Sequence, residues 1–204
     1  MKQMTAESVQ TPLEGGSCQD VMNPFRHLLF VDIFAPAALR GLREWLESEV
    51  TWKYCRNHFS ARYGVDLLSY ADADEFRPFV ANVTLSKLRA ILEKHFAVRL
   101  DSAVSIFANR LDDGQGIGVH NDNTAGEFRL VVLMTEQWQP SAGGILLLLQ
   151  DPSTRGGLTA YPPSFNRCIA FETNARSLHA VSEVSGASQI SLVYVFRMRP
   201  GGVT

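Results

Sequence analysis

The residues best able to do chemistry lie in Gly114 to Asp122, GQGIGVHND, and in a second segment around His179, SLHAVSEV. His120 and Asp122 are separated by one residue. On an extended strand, where side chains alternate in direction, that spacing sends both to one face. An imidazole and a carboxylate on one face can hold a metal ion, and a third ligand must then come from a strand brought alongside. His179 lies near the start of an alternating segment, on the face of Val181, and supplies that group. Two histidines and one carboxylate make a facial triad suited to non-haem Fe(II), with positions left open for oxygen and substrate chemistry. Zinc accepts the same ligands, so ligand type alone does not separate the two metals.

Bringing these groups together requires strands, and the second half of the chain provides them. Short apolar segments separated by turn residues run Ala103 to Asn109, Ile117 to Asn121, Phe128 to Met134, Ile145 to Leu149, Arg167 to Phe171, Leu178 to Val184 and Ile190 to Phe196. No βαβ rhythm is present, and the glycines from Gly114 to Gly118 do not open a helix, so they are not a phosphate loop. In the first half, HLLFVDIF from His27 to Phe34 predicts a buried strand. Pro36 opens a helix whose stripe is Leu39, Leu42, Trp45 and Leu46. A second helix is predicted over 85–96, capped by Thr84, with Leu85, Leu88, Ile91, Leu92 and Phe96 inward. Residues 50–82 mix aromatic and charged side chains without a clean period, which allows turns, short helices or a hairpin, and one wall of a pocket. Residues 1–24 are polar and aperiodic and read as a flexible or irregular arm. The expectation is a mainly β chain, a curled double sheet with N-terminal helices supporting one face, forming a single domain over 25–204.

A chain of 204 residues can bury one substantial core. Its 19 basic and 21 acidic residues nearly cancel, which gives no electrostatic case for nucleic acid or an anionic membrane as partner. Three widely spaced cysteines, Cys18, Cys55 and Cys168, form no CxxC pair or disulfide framework, and no apolar run is long enough for a signal or a membrane span. A cytoplasmic location follows as the expectation.

With these motifs in order, the chain resembles the Fe(II)- and 2-oxoglutarate-dependent oxygenases, particularly their prolyl-4-hydroxylase-like branch. The resemblance runs from about Val104 to Arg197 and rests on HND at 120–122, EFRLVVLM at 127–134, GGILLL at 143–148, RCIAFET at 167–173 and LHAV at 178–181. It implies a double-stranded β-helix, a cupin-like jelly roll, with Fe(II) held by His120, Asp122 and His179. It further implies 2-oxoglutarate as co-substrate, O2 as oxidant and hydroxylation of an unactivated C–H bond. The carboxylate of Asp122 fills the position that related halogenating enzymes leave open, which favours hydroxylation.

Two positions depart from the branch pattern, and both concern the co-substrate. Relatives carry Arg or Lys ten residues after the distal histidine, followed two residues later by Ser or Thr; here those positions are Gln189 and Ser191. Glutamine can donate a hydrogen bond but brings neither charge nor a bidentate fork. A tyrosine nine residues before the first histidine is replaced by Leu111. A buried dicarboxylate needs a cation, so either a replacement is expected, with Arg129 first and Arg110, Arg176 and Arg197 behind it, or a different co-substrate.

The reading from sequence is an Fe(II)/2-oxoglutarate dioxygenase acting on a small metabolite or amino-acid-like substrate. Hydroxylation of a protein side chain such as proline, a cupin-like metal enzyme that does not use 2-oxoglutarate, and a non-catalytic β-barrel binding protein stand as alternatives.

Overall fold

The computed structural model describes residues 11–122, 124–151 and 157–203. Its strands are β1 (Ser17–Val21), β2 (His27–Val31), β3 (Lys53–Arg56), β4 (Ser60–Asp66), β5 (Val98–Leu111), β6 (Gly116–His120), β7 (Glu127–Leu133), β8 (Leu146–Leu149), β9 (Leu158–Tyr161), β10 (Arg167–Thr173), β11 (Leu178–Val181) and β12 (Gln189–Val203). Its helices are α1 (Pro36–Ser48), α2 (Arg77–Val80) and α3 (Asn82–Phe96). The strands join in one hydrogen-bonded path, β1-β2-β10-β7-β12-β5-β4-β6-β11-β8-β9, with β3 added to β4.

Alternation along the strands explains how this path becomes a two-layered jelly roll. On β7, Phe128, Leu130 and Val132 belong to the core shared with the helices, and so do Cys168 and Ala170 of β10 and Leu192, Tyr194 and Phe196 of β12. Leu39, Leu42, Trp45 and Leu46 of α1 and Leu88 and Leu92 of α3 cover that face. The intervening residues Leu133, Ile169 and Phe171 turn the other way and pack with Leu146 and Leu148 of β8 and Tyr161 of β9. The sheet therefore curls until β8 and β9 lie over the β7–β10 pair. Strands apolar on both faces are the expected consequence of being covered on both. The curl is closed by β4, which pairs with β5 through Tyr63 to Asp66 and with β6 through Ser60 and Ala61.

The predicted strands and both predicted long helices are present, and the mainly β double-stranded β-helix is the observed fold. Several details differ. Within the stretch read as an irregular arm, 1–10 lie outside the described residues, while Ser17–Val21 form β1 on the edge of β2. Four of its five side chains are exposed, so backbone pairing holds it without leaving a hydrophobic period to read. Thr84 does not cap α3: the helix starts at Asn82, and the fully buried Thr84 hydroxyl donates to the Pro78 carbonyl at 2.7 Å. The mixed segment 50–82 contains the β3–β4 hairpin and the short α2. β9, only four residues long, had no sequence signal of its own.

Candidate metal centre

β6 and β11 pair antiparallel with His120 directly opposite His179, and the register breaks between His179 and Val181. The two imidazole centroids are 4.1 Å apart. β6 ends at His120, so Asp122 does not reach the site by strand alternation. It sits in the following turn with φ of 58°, in the left-handed region that aspartate tolerates better than most residues. The three residues converge, but a turn rather than a continued strand aims the carboxylate. One ligand atom from each of His120, Asp122 and His179 lies within 4.8 Å of the other two.

The donor set fits a metal ion. His120 Nδ1 is 2.9 Å from the Gly118 carbonyl, and His179 Nδ1 is 3.0 Å from that of Ser177. Each Nδ1–H donates to its carbonyl, which turns each Nε2 inward toward the carboxylate, the orientation that metal ligation through Nε2 requires. Both Nε2 atoms face the carboxylate, His120 at 3.5 Å from Oδ1 and His179 at 3.2 Å from Oδ2. Arg129 Nε approaches Oδ2 at 2.8 Å, yet its N–H is not aimed at the oxygen. Oδ2 is thus buried beside a charge but without a directed hydrogen bond. Burial pushes the Asp122 carboxyl up, and the imidazole contacts and the Arg129 charge outweigh it, holding the group well below the usual carboxylate range. Phe59, from the β3–β4 turn, stacks on His120 at 4.8 Å between centroids, and Phe171 meets His179 edge-on at 5.0 Å. Gly118 makes room for this wall: its N–H donates to the Phe59 carbonyl at 2.6 Å, and a Cβ there would come 3.1 Å from that oxygen.

These groups line a cavity of about 130 Å³, together with Arg62, Asn109, Leu111, Val131, Leu146, Val181, Ser191 and Val193 among others. Of the residues expected to hold the co-substrate, Arg129 and Ser191 line this cavity. Gln189 lines a smaller adjoining hollow, where its Nε2 donates to the Gly143 carbonyl at 3.1 Å. The lower-ranked cations are elsewhere. Arg110 lies over the rings of Trp52 and Tyr63 and pairs with Asp112, Arg176 is exposed, and Arg197 pairs with Glu127. Sequence reasoning did not find Phe59 or Arg62. Both come from the β3–β4 hairpin, whose sequence has no period to show which side chains turn inward.

Residues 106–197 match the family model described as the 2OG-Fe(II) oxygenase superfamily, and the matched span contains all three triad residues. Over that span, 92 of its 204 residues, the chain has the pattern of that superfamily. Its facial triad within this fold makes the protein a non-haem iron oxygenase. No curated protein matches the chain. Among solved structures, a Pseudomonas putida prolyl-4-hydroxylase is similar at 18% identity and TM-score 0.63, over 80% of this chain and 86% of that one. A Trichoplax adhaerens prolyl hydroxylase, solved with a hypoxia inducible factor peptide fragment, gives 12% identity and TM-score 0.68 over 86% and 85%. The non-haem alpha-ketoglutarate-dependent epimerase SnoN of nogalamycin biosynthesis gives 12% and 0.59 over 87% and 82%. At these identities the likeness describes the fold. Among the described residues, the oxygenase has no helix long and apolar enough to cross a membrane.

Proposed function

We propose that this oxygenase is an Fe(II)/2-oxoglutarate-dependent hydroxylase of a side chain carried on a polypeptide, with proline the first residue to test. The observation that carries the reading is the size of the cavity at the triad, about 130 Å³. Pockets that enclose a drug-sized ligand are roughly 300–1,000 Å³. A hollow this small suits a five-carbon diacid, and the carbon to be oxidised is then presented at the mouth. A side chain projecting from a peptide meets that requirement better than a free metabolite, the substrate favoured by sequence alone. Two of the structural relatives are described as prolyl hydroxylases, one with a peptide bound.

In this reading His120 Nε2, His179 Nε2 and an Asp122 oxygen hold the iron, which when bound couples oxidative decarboxylation of 2-oxoglutarate to hydroxylation of the substrate carbon. The Arg129 charge helps keep Asp122 ionised. Phe171, Val131, Leu146, Val181 and Val193 line the hollow and exclude water around the reacting groups. Phe59 and Phe171 hold the imidazole planes. Incubation with Fe(II), 2-oxoglutarate and O2 should add one oxygen to a proline-containing peptide, with one succinate formed per event. Oxygenation of free amino acids, with peptides untouched, would return the assignment to small metabolites.

A further inference from the structure

Two guanidinium groups line the cavity, and their surroundings differ. Arg129 is committed to Asp122, the one carboxylate among the lining residues. Arg62, on β4, is held only by neutral acceptors. Its Nε donates to Asn109 Oδ1 at 3.1 Å, and its Nη1 donates to Ser60 Oγ at 2.7 Å. Ser60 is itself buried and donates to Asn57 Oδ1 at 3.0 Å. Among the described residues no carboxylate pairs with Arg62. The chain therefore fixes a positive charge at the cavity wall through a relay of uncharged groups and leaves its counter-ion to come from outside. A half-buried guanidinium held in this way is preorganised for a carboxylate and gives up little further side-chain freedom on binding one.

We infer that Arg62 receives the distal carboxylate of the 2-oxoacid co-substrate, in place of the cation missing at Gln189. The inference rests on the 2-oxoglutarate reading above. Three further observations support it. Gln189 is turned to the Gly143 carbonyl and does not line the cavity. With Oδ1 of Asn109 accepting from Arg62, the amide Nδ2 of Asn109 becomes a second donor beside the guanidinium. Ser191 pairs in register with Asn109 across β5 and β12 and lines the same cavity, which places a hydroxyl next to them. The charges also balance in the right direction. Two arginines and a divalent ion against Asp122 leave an excess of positive charge that a dianion reduces, whereas a monoacid leaves Arg62 uncompensated.

The test is equilibrium binding without turnover. Anaerobic, Fe(II)-loaded protein is titrated with 2-oxoglutarate and, separately, with 2-oxobutanoate, which chelates through the same atoms but lacks the distal carboxylate. The visible charge-transfer band of the chelate reports both. Wild type should prefer 2-oxoglutarate. Arg62→Met should weaken 2-oxoglutarate roughly 30-fold, as for loss of a charge-assisted hydrogen bond, and leave 2-oxobutanoate within about threefold by the same reasoning. Arg62→Lys should recover part of the preference. Full Fe(II) stoichiometry in the variants certifies the fold. Unchanged 2-oxoglutarate affinity in Arg62→Met, including the case where only a substrate carboxylate is affected, overturns the inference, and so does an equal loss for both oxoacids. A wild type that binds Fe(II) but gives the band with neither acid refutes 2-oxoglutarate dependence itself, a result distinct from failure of Arg62 alone.

Discussion

Replacing Arg129 with leucine removes the cation nearest the carboxylate of Asp122 while keeping an apolar side chain on β7. The two side chains are 19% and 15% exposed, and the closest atoms are 2.8 Å apart, so solvent screens the pair weakly. Unit charges about 4 Å apart in an effective dielectric near 20 attract by about 4 kcal/mol. Part of that is recoverable, because an unpaired carboxyl can take up a proton and both imidazoles still face it. A net loss of about 2–3 kcal/mol for the metal-free protein is the expected outcome. With a divalent ion in the triad the deficit should shrink to below about 1 kcal/mol, since the ion supplies charge to the same carboxylate and is no longer repelled by a guanidinium. By linkage the variant then binds the metal roughly tenfold more tightly than wild type, 1.4 kcal/mol being a factor of ten. Urea unfolding of both proteins at pH 7, with and without saturating Mn(II), measures all the terms. A variant as stable as wild type without metal would show that the Arg129 charge does not compensate Asp122. An equal loss in both conditions would assign Arg129 a packing role only.

Two other perturbations test the surrounding structure. His27 is fully buried, with Nδ1 donating to the Phe25 carbonyl and Nε2 accepting from Tyr161, and burial depresses its pKa despite that carbonyl bond. The unfolded chain therefore binds a proton near pH 6.5 that the folded chain refuses, so stability should fall as pH drops below about 6.5, by at most about 1.4 kcal/mol per pH unit. His27→Gln should flatten that part of the urea-midpoint profile, and an unchanged slope would place the proton uptake elsewhere. Gly144 has φ of 67°, and a Cβ there would overlap the side-chain amide of Gln189. Gly144→Ala should cost about 1–3 kcal/mol in urea unfolding from backbone and overpacking strain together, and a neutral result would mean that neither the positive φ nor the Gln189 contact with the Gly143 carbonyl constrains this turn.

The elements that read clearly from sequence are those whose side chains carry the reason for the fold. Leu39, Leu42, Trp45 and Leu46 repeat at helical spacing because one face of α1 is buried, and β7, β10 and β12 are long apolar runs because they are covered on both faces. β1 escaped because its side chains are exposed and its backbone alone pairs. At the site, His120, Asp122 and His179 were legible from ligand type, but the turn that aims Asp122 was not, since HND fits a strand as well as a strand end. The loss of the usual cation at Gln189 was plain in the sequence. That Arg62 lines the cavity was not, because inward direction on a strand outside the main run depends on how β4 bridges β5 and β6.

The most direct test of the central claim is anaerobic Fe(II) equilibrium binding to the wild-type chain and to the single variants His120→Ala, Asp122→Ala and His179→Ala, each checked for folding by circular dichroism. One Fe(II) per wild-type chain, and loss of stoichiometric binding in all three folded variants, is the predicted result. Retention of one tightly bound Fe(II) by folded His120→Ala and His179→Ala would contradict it, because a site built on those two opposed imidazoles cannot survive the removal of either.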